Sequence, residues 1–468
     1  MADQRITAEQ ILAELQEDLK ALAEKMAAAM NAAKAGRIIA DTEEPVRDAH
    51  AEFRQQAYQK AIDLLAKHAG QGAFSPSAQG KEGRWTNKGK QKTSHVTING
   101  VLEVERTIYW NRQQGTTAPL DGWLGILSQR YSPGVREMGC RLCLDEAFVP
   151  ASENLFRLAQ LSISHSALGE LVQREGSQAA GAIGQGAYGP NWGATDCTDQ
   201  TVVTGADGVM VPMVTEEQKR KRRVTEAQKR KRKGRRSTAG VGRPKSGSDG
   251  AYKEFKIVSF YDPDKAHKYA VGTSGDATAL GRVMRREAAK VRIDQARHKY
   301  SVSDGSEWIE RQYGQQLPML DENILDYYHL REHVVQASFV LYGEGTAKAH
   351  AWREDMMGYA WNQGSLVMLD HLADYLRVHR SGPKAEALRS LRGYVAKRVD
   401  MTDYPTFRQM GYDCGSGPTE SFCGTLTLRL KGRGMHWDKD NAEAMMALGS
   451  LYYSNQWKDY WTRQRAAA

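Results

Sequence analysis

Cysteine is scarce in this chain: five residues in 468. A sparse, odd-numbered set argues against a disulfide framework and suits a reducing compartment. Cys140 and Cys143 form one CxxC, but a zinc site of that kind needs a second pair, and Cys197, Cys414 and Cys423 lack the spacing. In SPGVREMGCRLCLDEAF, Ser132 is placed to cap a helix and Pro133 to begin it, so the two thiols are expected to pack as small hydrophobes. Long apolar runs are missing as well, with nothing near the roughly eighteen apolar residues of a membrane span. The opening MADQRITAEQ has no basic stretch leading into an apolar core, so no secretory signal is expected. These absences point to a cytoplasmic protein, and the length allows about three domains.

What is present is charge, and it is concentrated. VTEEQKRKRR (214–223) is followed at once by VTEAQKRKRK (224–233), a ten-residue tandem repeat. Between Val214 and Lys245 there are 14 Lys+Arg and 3 acids, a net of +11. The whole chain carries only +9, so everything outside this stretch nets −2. A solvated, disordered loop is one account of such a run and a nucleic-acid-binding arm is another; the two overlap. Under the second, Lys219, Arg220, Lys221, Arg222, Arg223, Lys229, Arg230, Lys231, Arg232, Lys233, Arg235 and Arg236 are the expected phosphate contacts.

Along the chain, Leu12, Leu15, Leu19, Leu22 and Met26 follow an a/d pattern, a helix that needs an apolar partner. That partner is either a second helix around Val46, Ala49, Phe53, Ala57 and Ile62 or another protomer. Residues 70–93 read as a linker. SHVTI-NG-VLEVERTIYW predicts a hairpin with strands at 94–98 and 101–110 around Asn99-Gly100. SENLFRLAQL and SHSALGELVQREG predict two capped helices, either a helix-turn-helix or an ordinary helical hairpin. Gly184-Gln-Gly186-Ala-Tyr-Gly189 spells GxGxxG but follows a helix, which removes the dinucleotide reading. TVVTGAD, GVMVPMVT, FKIVSFYD and KYAVGTSG predict strands; ATALGRVMRREAAKV a helix; HKYSVSD a further strand. That order is expected of a ribonuclease-H-like α/β core.

Among 56 acids, context selects three. Asp207 ends the run TVVTGAD and Asp304 ends KYSVSD, at the strand ends where α/β sheets place ligands. Glu420, after the Gly-Pro turn in GSGPTESFCGTL, sits at the expected start of a helix. Three carboxylates so placed suit two Mg²⁺ ions, with Mn²⁺ as a substitute, for phosphodiester chemistry. Lys431 shares Glu420's helical face if the helix continues. Arg429 and Arg433 flank it, and all three are candidate phosphate ligands.

TGADGVMVPM, SDGSEWI, LDYYHLREHV and GSGPTES…RLKGRGMHW, in that order over residues 95–455, resemble the DDE transposases of bacterial insertion sequences. Within these the chain is similar to the Kra-type group, related to Mutator-like elements. The resemblance implies a catalytic triad of Asp207, Asp304 and Glu420 on a ribonuclease-H-like fold, with an all-helical insertion between Asp304 and Glu420. Asp326 and His329 then fall on a Cys/Asp-x-x-His signature, with a role near the active site, at DNA, or simply as a buried, hydrogen-bonded histidine. Relatives often carry a zinc ribbon at the hairpin; TIYWNRQQG has no cysteine, and the basic repeat would compensate.

The expected organisation is a helical region at 1–70, able to self-associate, then a linker and hairpin at 71–130. A helix-turn-helix-like DNA-binding region follows at 131–185, then the first part of the core at 186–344 with the basic repeat at 214–236. A helical insertion at 345–410 and the rest of the core at 411–468 complete it. The expected function is cleavage and strand transfer of element ends by a homo-oligomer on double-stranded DNA, in the nucleoid. A nuclease without strand transfer and an inactive DNA-binding derivative are the competing readings.

Overall fold

A strand apolar on both faces belongs inside a covered sheet. TVVTGAD and GVMVP, expected as two strands, form one such strand, β4. The computed structural model describes residues 6–126, 130–232, 234 and 246–467. They divide into two compact units, Met1–Val172 with Trp461–Ala468, and Gln173–Tyr460.

In the first unit, helix Ala8–Ala32 opens on a Thr7/Gln10 capping box and packs against helix Ile38–Ala69, so the apolar partner comes from the same chain. The seam is offset from the expected a/d set. Gln10, Ile11, Leu15, Asp18, Leu22, Met26 and Ala29 are the half-buried positions, with Asp18 paired to Lys60 at 2.8 Å. Leu12 and Leu19 remain 54% and 38% exposed. The hairpin is β1 (Thr86–Thr97) and β2 (Gly100–Asn111), with β3 (Gly115–Thr117) alongside. Its turn residues are Ile98 and Asn99 rather than Asn99 and Gly100. Gly100, at φ +116°, already pairs with Thr97, whose hydroxyl accepts from the Asn99 N–H and donates to the Gly100 carbonyl. β1 also begins earlier than expected. The polar TNKGKQKT lies in the strand because it pairs with VERTIYWN, and it is polar because it is exposed. Helices Pro133–Asp145 and Phe148–Ala159 follow, and helix His165–Gly184 runs across the division at Val172. Ser132 caps the first, and Cys140 and Cys143 are fully buried in it.

The second unit is built on β4 (Thr201–Pro212), β5 (Tyr252–Tyr261), β6 (Lys268–Thr273), β7 (His298–Ser303) and β8 (Glu322–Leu325). Their spatial order is β6-β5-β4-β7-β8. β4, β5 and β6 are antiparallel neighbours, while β7 and β8 run parallel to β4. Alternation along β4 separates two helical layers. Thr204 meets the Tyr313 hydroxyl, at 3.3 Å, from helix Glu307–Gln316, which packs beside helix Ala277–Val291. Gly205 points the other way, toward helix Gly417–Thr427, which packs beside Lys439–Tyr453.

Between β8 and Gly417 the chain is helical: Tyr327–Tyr342, Ala347–Gln363, Ser365–Val378, Gly382–Ala396 and Tyr404–Gln409. Leu330, Trp352, Met356, Leu388, Val395 and Phe407 form its core, continuous with Tyr300 and Ile324 of the sheet.

The basic repeat is not a coil over its described part. Glu216–Arg232 is one helix through both copies, with no buried residue. Lys, Arg, Gln, Glu and Ala are strong helix formers, and Glu216 and Glu217 at one end with Lys229–Arg232 at the other match the helix dipole. Lys221–Glu217 and Lys229–Glu226 pairs add to this. Lys233, Arg235 and Arg236 lie outside the described residues.

The GQGAYG motif also finds a structural use. Gly189 has no room for a side chain because Lys290 lies where its Cβ would be, with Cδ 2.6 Å away. Lys290 donates to the Tyr188 carbonyl and to Glu287, and Arg286 donates to the Gly184 carbonyl and Glu287. Glu287 is wholly buried and also accepts from the Tyr269 hydroxyl at 2.8 Å. Removing a buried carboxylate that two cations share leaves both uncompensated. Glu287→Gln is therefore expected to destabilise the protein by about 3 kcal/mol in denaturant titration, against about 1 kcal/mol for Tyr269→Phe. Equal, small losses in both would show that the network is not buried as described.

Candidate active site

The parallel register of β4 and β7 decides where the two aspartates fall. Thr204 pairs with Ser301, and three residues further along each strand stand Asp207 and Asp304. Both leave the sheet on one side, where β7 has ended at Ser303. Asp304 is thus one residue past its strand. Asp207 is not at a strand end: β4 continues to Pro212 because Asp207–Pro212 keeps pairing with Ile257–Tyr252 of β5. Its parallel neighbour stops, and that opens the space.

The third carboxylate arrives on helix Gly417–Thr427, where Glu420 occupies the first turn and is exposed. The helix can close on β4 because Gly205 has no side chain. A Cβ there would stand 1.9 Å from Thr419 Oγ1. Thr419 hydrogen-bonds Ser259 Oγ at 2.8 Å, and Phe422, Cys423 and Leu426 pack on Val209 and Ile257. Gly205 and Asp207 share a strand face, so this docking brings Glu420 and Cys423 to Asp207.

Burial raises the carboxyl of Asp207 above its usual range, and the negative charges of Asp304 and Glu420 raise it further. The Gly208 N–H, at 2.6 Å, and the Cys423 thiol donate to it and offset part of that. Burial and Asp207 together push the Cys423 thiol well up. Asp304 accepts from the Ser306 N–H and hydroxyl at 2.8 and 2.7 Å. Its own carbonyl receives the Tyr394 hydroxyl at 3.2 Å, and Arg398 donates to the Gly305 carbonyl at 2.7 Å. Glu420 accepts from Ser416 Oγ at 2.9 Å. Among the described residues no lysine or arginine forms an ion pair with any of the three carboxylates. Carboxylate oxygens without a cationic partner are the hard donors that Mg²⁺ or Mn²⁺ takes, but in this structure the oxygens of the three are not gathered within 4.8 Å of one another.

Asp326 is 2% exposed. It caps helix Tyr327–Tyr342 through the His329 N–H and accepts the Ser416 N–H, so it orients the residue that holds Glu420. His329 is half-exposed, 3.6 Å from Glu332, with its ring 5.3 Å from that of His333. Arg429 is buried over the Trp437 ring rather than open to a phosphate. The helix stops at Thr427, so Lys431 and Arg433 lie on the following turn and not on Glu420's helical face. Lys431 nonetheless lies close enough to Cys423 to favour its thiolate.

In the basic helix, Lys219 is tied to Asp438 at 2.7 Å and to the Ser246 carbonyl, and Arg223 to Glu216 at 3.1 Å. Arg220, Lys221, Arg222, Lys229, Arg230, Lys231 and Arg232 are exposed. Sequence reading missed Ser416, Thr419, Cys423, Tyr394 and Arg398. Only Gly205, a glycine inside an apolar strand, carried a signal of close approach.

No protein-family model matches the chain, and a search of curated proteins finds no match. Among solved structures, the Drosophila P element transposase strand transfer complex is similar at a TM-score of 0.24 and 11% identity, over 74% of this chain and 84% of that one. At that TM-score the functional reading stands on the residues alone.

Because its folded-state carboxyl is raised, Asp207 favours its neutral form; its ionisation costs stability, and that cost appears as pH rises past the ordinary carboxylate range. Asp207→Asn is therefore expected to melt higher than the wild type at neutral pH without added metal. The difference should shrink as pH falls toward about 4. A variant that melts lower at neutral pH would show that burial and the neighbouring charges do not make ionised Asp207 costly.

Proposed function

We propose that this chain is a DDE-type DNA transposase that binds the ends of a mobile element and catalyses their cleavage and strand transfer. The observation that carries the proposal is the convergence of Asp207, Asp304 and Glu420 from β4, the end of β7 and a helix first turn. The sheet order, with β5 antiparallel between β4 and β6 and a helical insertion before Glu420, supports a ribonuclease-H-like core. Two Mg²⁺ ions, or Mn²⁺, held by the three carboxylates would activate the attacking oxygen and stabilise the leaving one. Asp207 presents its oxygens from the sheet and Asp304 from the turn just past β7, while Ser416 and Asp326 fix the turn that presents Glu420. Lys431 and Arg433, both exposed, would meet a phosphate, and the exposed basic helix would follow a DNA backbone. Helices Phe148–Ala159 and His165–Gly184 are the candidate readers of sequence. A homo-oligomer would hold two element ends together.

Asp207→Asn, Asp304→Asn or Glu420→Gln is expected to lower cleavage and joining on the order of 10⁴-fold while DNA binding persists. Incubating wild type with end-containing DNA, a target plasmid and Mg²⁺ separates the alternatives. Joined products identify a transposase, cut ends alone a nuclease, and binding without either an inactive derivative. Joining by Asp304→Asn at the wild-type rate would sink the triad.

The arm has its own test. Eight Lys and Arg lie between Arg220 and Arg232; replacing all with Gln keeps helix propensity and removes the charge. If half of them engage phosphates, the log–log salt slope of binding falls by about four units. End preference, measured against scrambled duplex, is expected to survive. An unchanged slope would make the arm a bystander.

A further inference from the structure

At the end of β4 remote from Asp207, three side chains of different chemistry meet. Cys197 comes from the segment leading into β4, Asp262 stands immediately after β5, and His267 immediately before β6. Their ligand atoms lie within 4.8 Å of one another. Asp262 is wholly buried and Cys197 5% exposed, while the His267 side chain is 32% exposed. Val203 pairs with Tyr261, so the cluster is separated from Asp207 by about 17 Å along the strand.

We propose that Cys197, Asp262 and His267 bind a zinc ion that pins the β5–β6 turn to the start of β4. The donor set is one sulfur, one nitrogen and one oxygen. Zinc takes these together, whereas a thiolate ligand selects against Mg²⁺. The site is thus chemically distinct from the all-carboxylate triad. At present His267 Nδ1 and Asp262 Oδ2 are 2.9 Å apart and share a hydrogen, and Asp262 Oδ1 accepts the His267 N–H at 3.0 Å. The second bond orients the carboxylate and leaves Oδ2 for the metal. Adjacent ligand atoms of a tetrahedral zinc site stand about 3.5 Å apart, so Cys197 closes in slightly and the Asp262–His267 pair opens. Binding releases the thiol proton to solvent, and the imidazole hydrogen passes from Nδ1 to Nε2. The Trp192 ring lies 5.5 Å from the His267 ring, and the half-exposed side of His267 admits water as a fourth ligand. Asp199 and Gln200, both at φ +50°, stand two and three residues after Cys197, a costly backbone course for two non-glycine residues. A metal at Cys197 would hold that course in place.

The test uses the full chain, purified after growth with added zinc. Elemental analysis is expected to find about one zinc per chain, falling to about none in Cys197→Ala and in His267→Gln. Asp207→Asn and Glu420→Gln should retain it, which separates this site from the triad whether or not the triad reading survives. Titrating the zinc-stripped wild type with Co²⁺ should give a thiolate-to-cobalt charge-transfer band and tetrahedral d–d bands. That measurement decides the matter if the Cys197 or His267 variants fail to fold. Wild type holding no more zinc than Cys197→Ala, or giving no charge-transfer band with Co²⁺, overturns the proposal. So does zinc that is lost only with Asp207→Asn or Glu420→Gln.

Discussion

The second unit depends on one missing side chain. Gly205 lets helix Gly417–Thr427 rest on β4 with Thr419 in the place a Cβ would take. The helix then buries Phe422 and Leu426, each stabilising the contact by about 2 kcal/mol. That is the same order as the repulsion between like charges a few ångströms apart at an effective dielectric near 20. Apolar packing on one side of the helix thus holds Glu420, on the other, close enough to Asp207 for its charge to oppose ionisation there. The charges are gathered by packing and not by their own attraction.

Asp304 is fixed from a different direction. Its position beyond β7 is unsupported by the sheet, and the helical block supplies what the sheet does not. Tyr394 reaches the Asp304 carbonyl, and Arg398, 7% exposed, is shared between the Gly305 carbonyl and Glu310 at 3.0 Å. His333 stacks on Tyr394 at 3.8 Å. A disturbance in the packing of helix Gly382–Ala396 therefore reaches Asp304 through two hydrogen bonds. The block braces the site through Tyr394 and Arg398.

Local pattern made the strands, most helices and the positions of Asp207, Asp304 and Glu420 legible, because alternation, caps and turn residues are written in adjacent positions. What stayed hidden was non-local. Thr419 against Gly205, Ser416 under Asp326, and Tyr394 behind Asp304 are each set by tertiary packing between residues far apart in the chain. The helical state of the basic repeat was missed for another reason. Its charge suggested a coil, yet its residues are good helix formers whose acids sit at the favourable end. Arg429 shows the limit of reading charge as contact, since its guanidinium is spent on the Trp437 ring.

The arm leaves the fold at a fixed base. The Val214 N–H donates to the Trp437 carbonyl, Thr215 bridges to Ser248, and Lys219 meets Asp438. Beyond that base the described residues run on as one helix through two near-identical ten-residue units. A ten-residue unit lengthens it by about 15 Å and turns its tip through roughly 280°, with the anchored residues untouched. Reach therefore behaves as a copy number. Gaining or losing one in-frame unit of the underlying gene would change how far the helix projects from its base, in one quantised step, while leaving the geometry at Asp207 as it was.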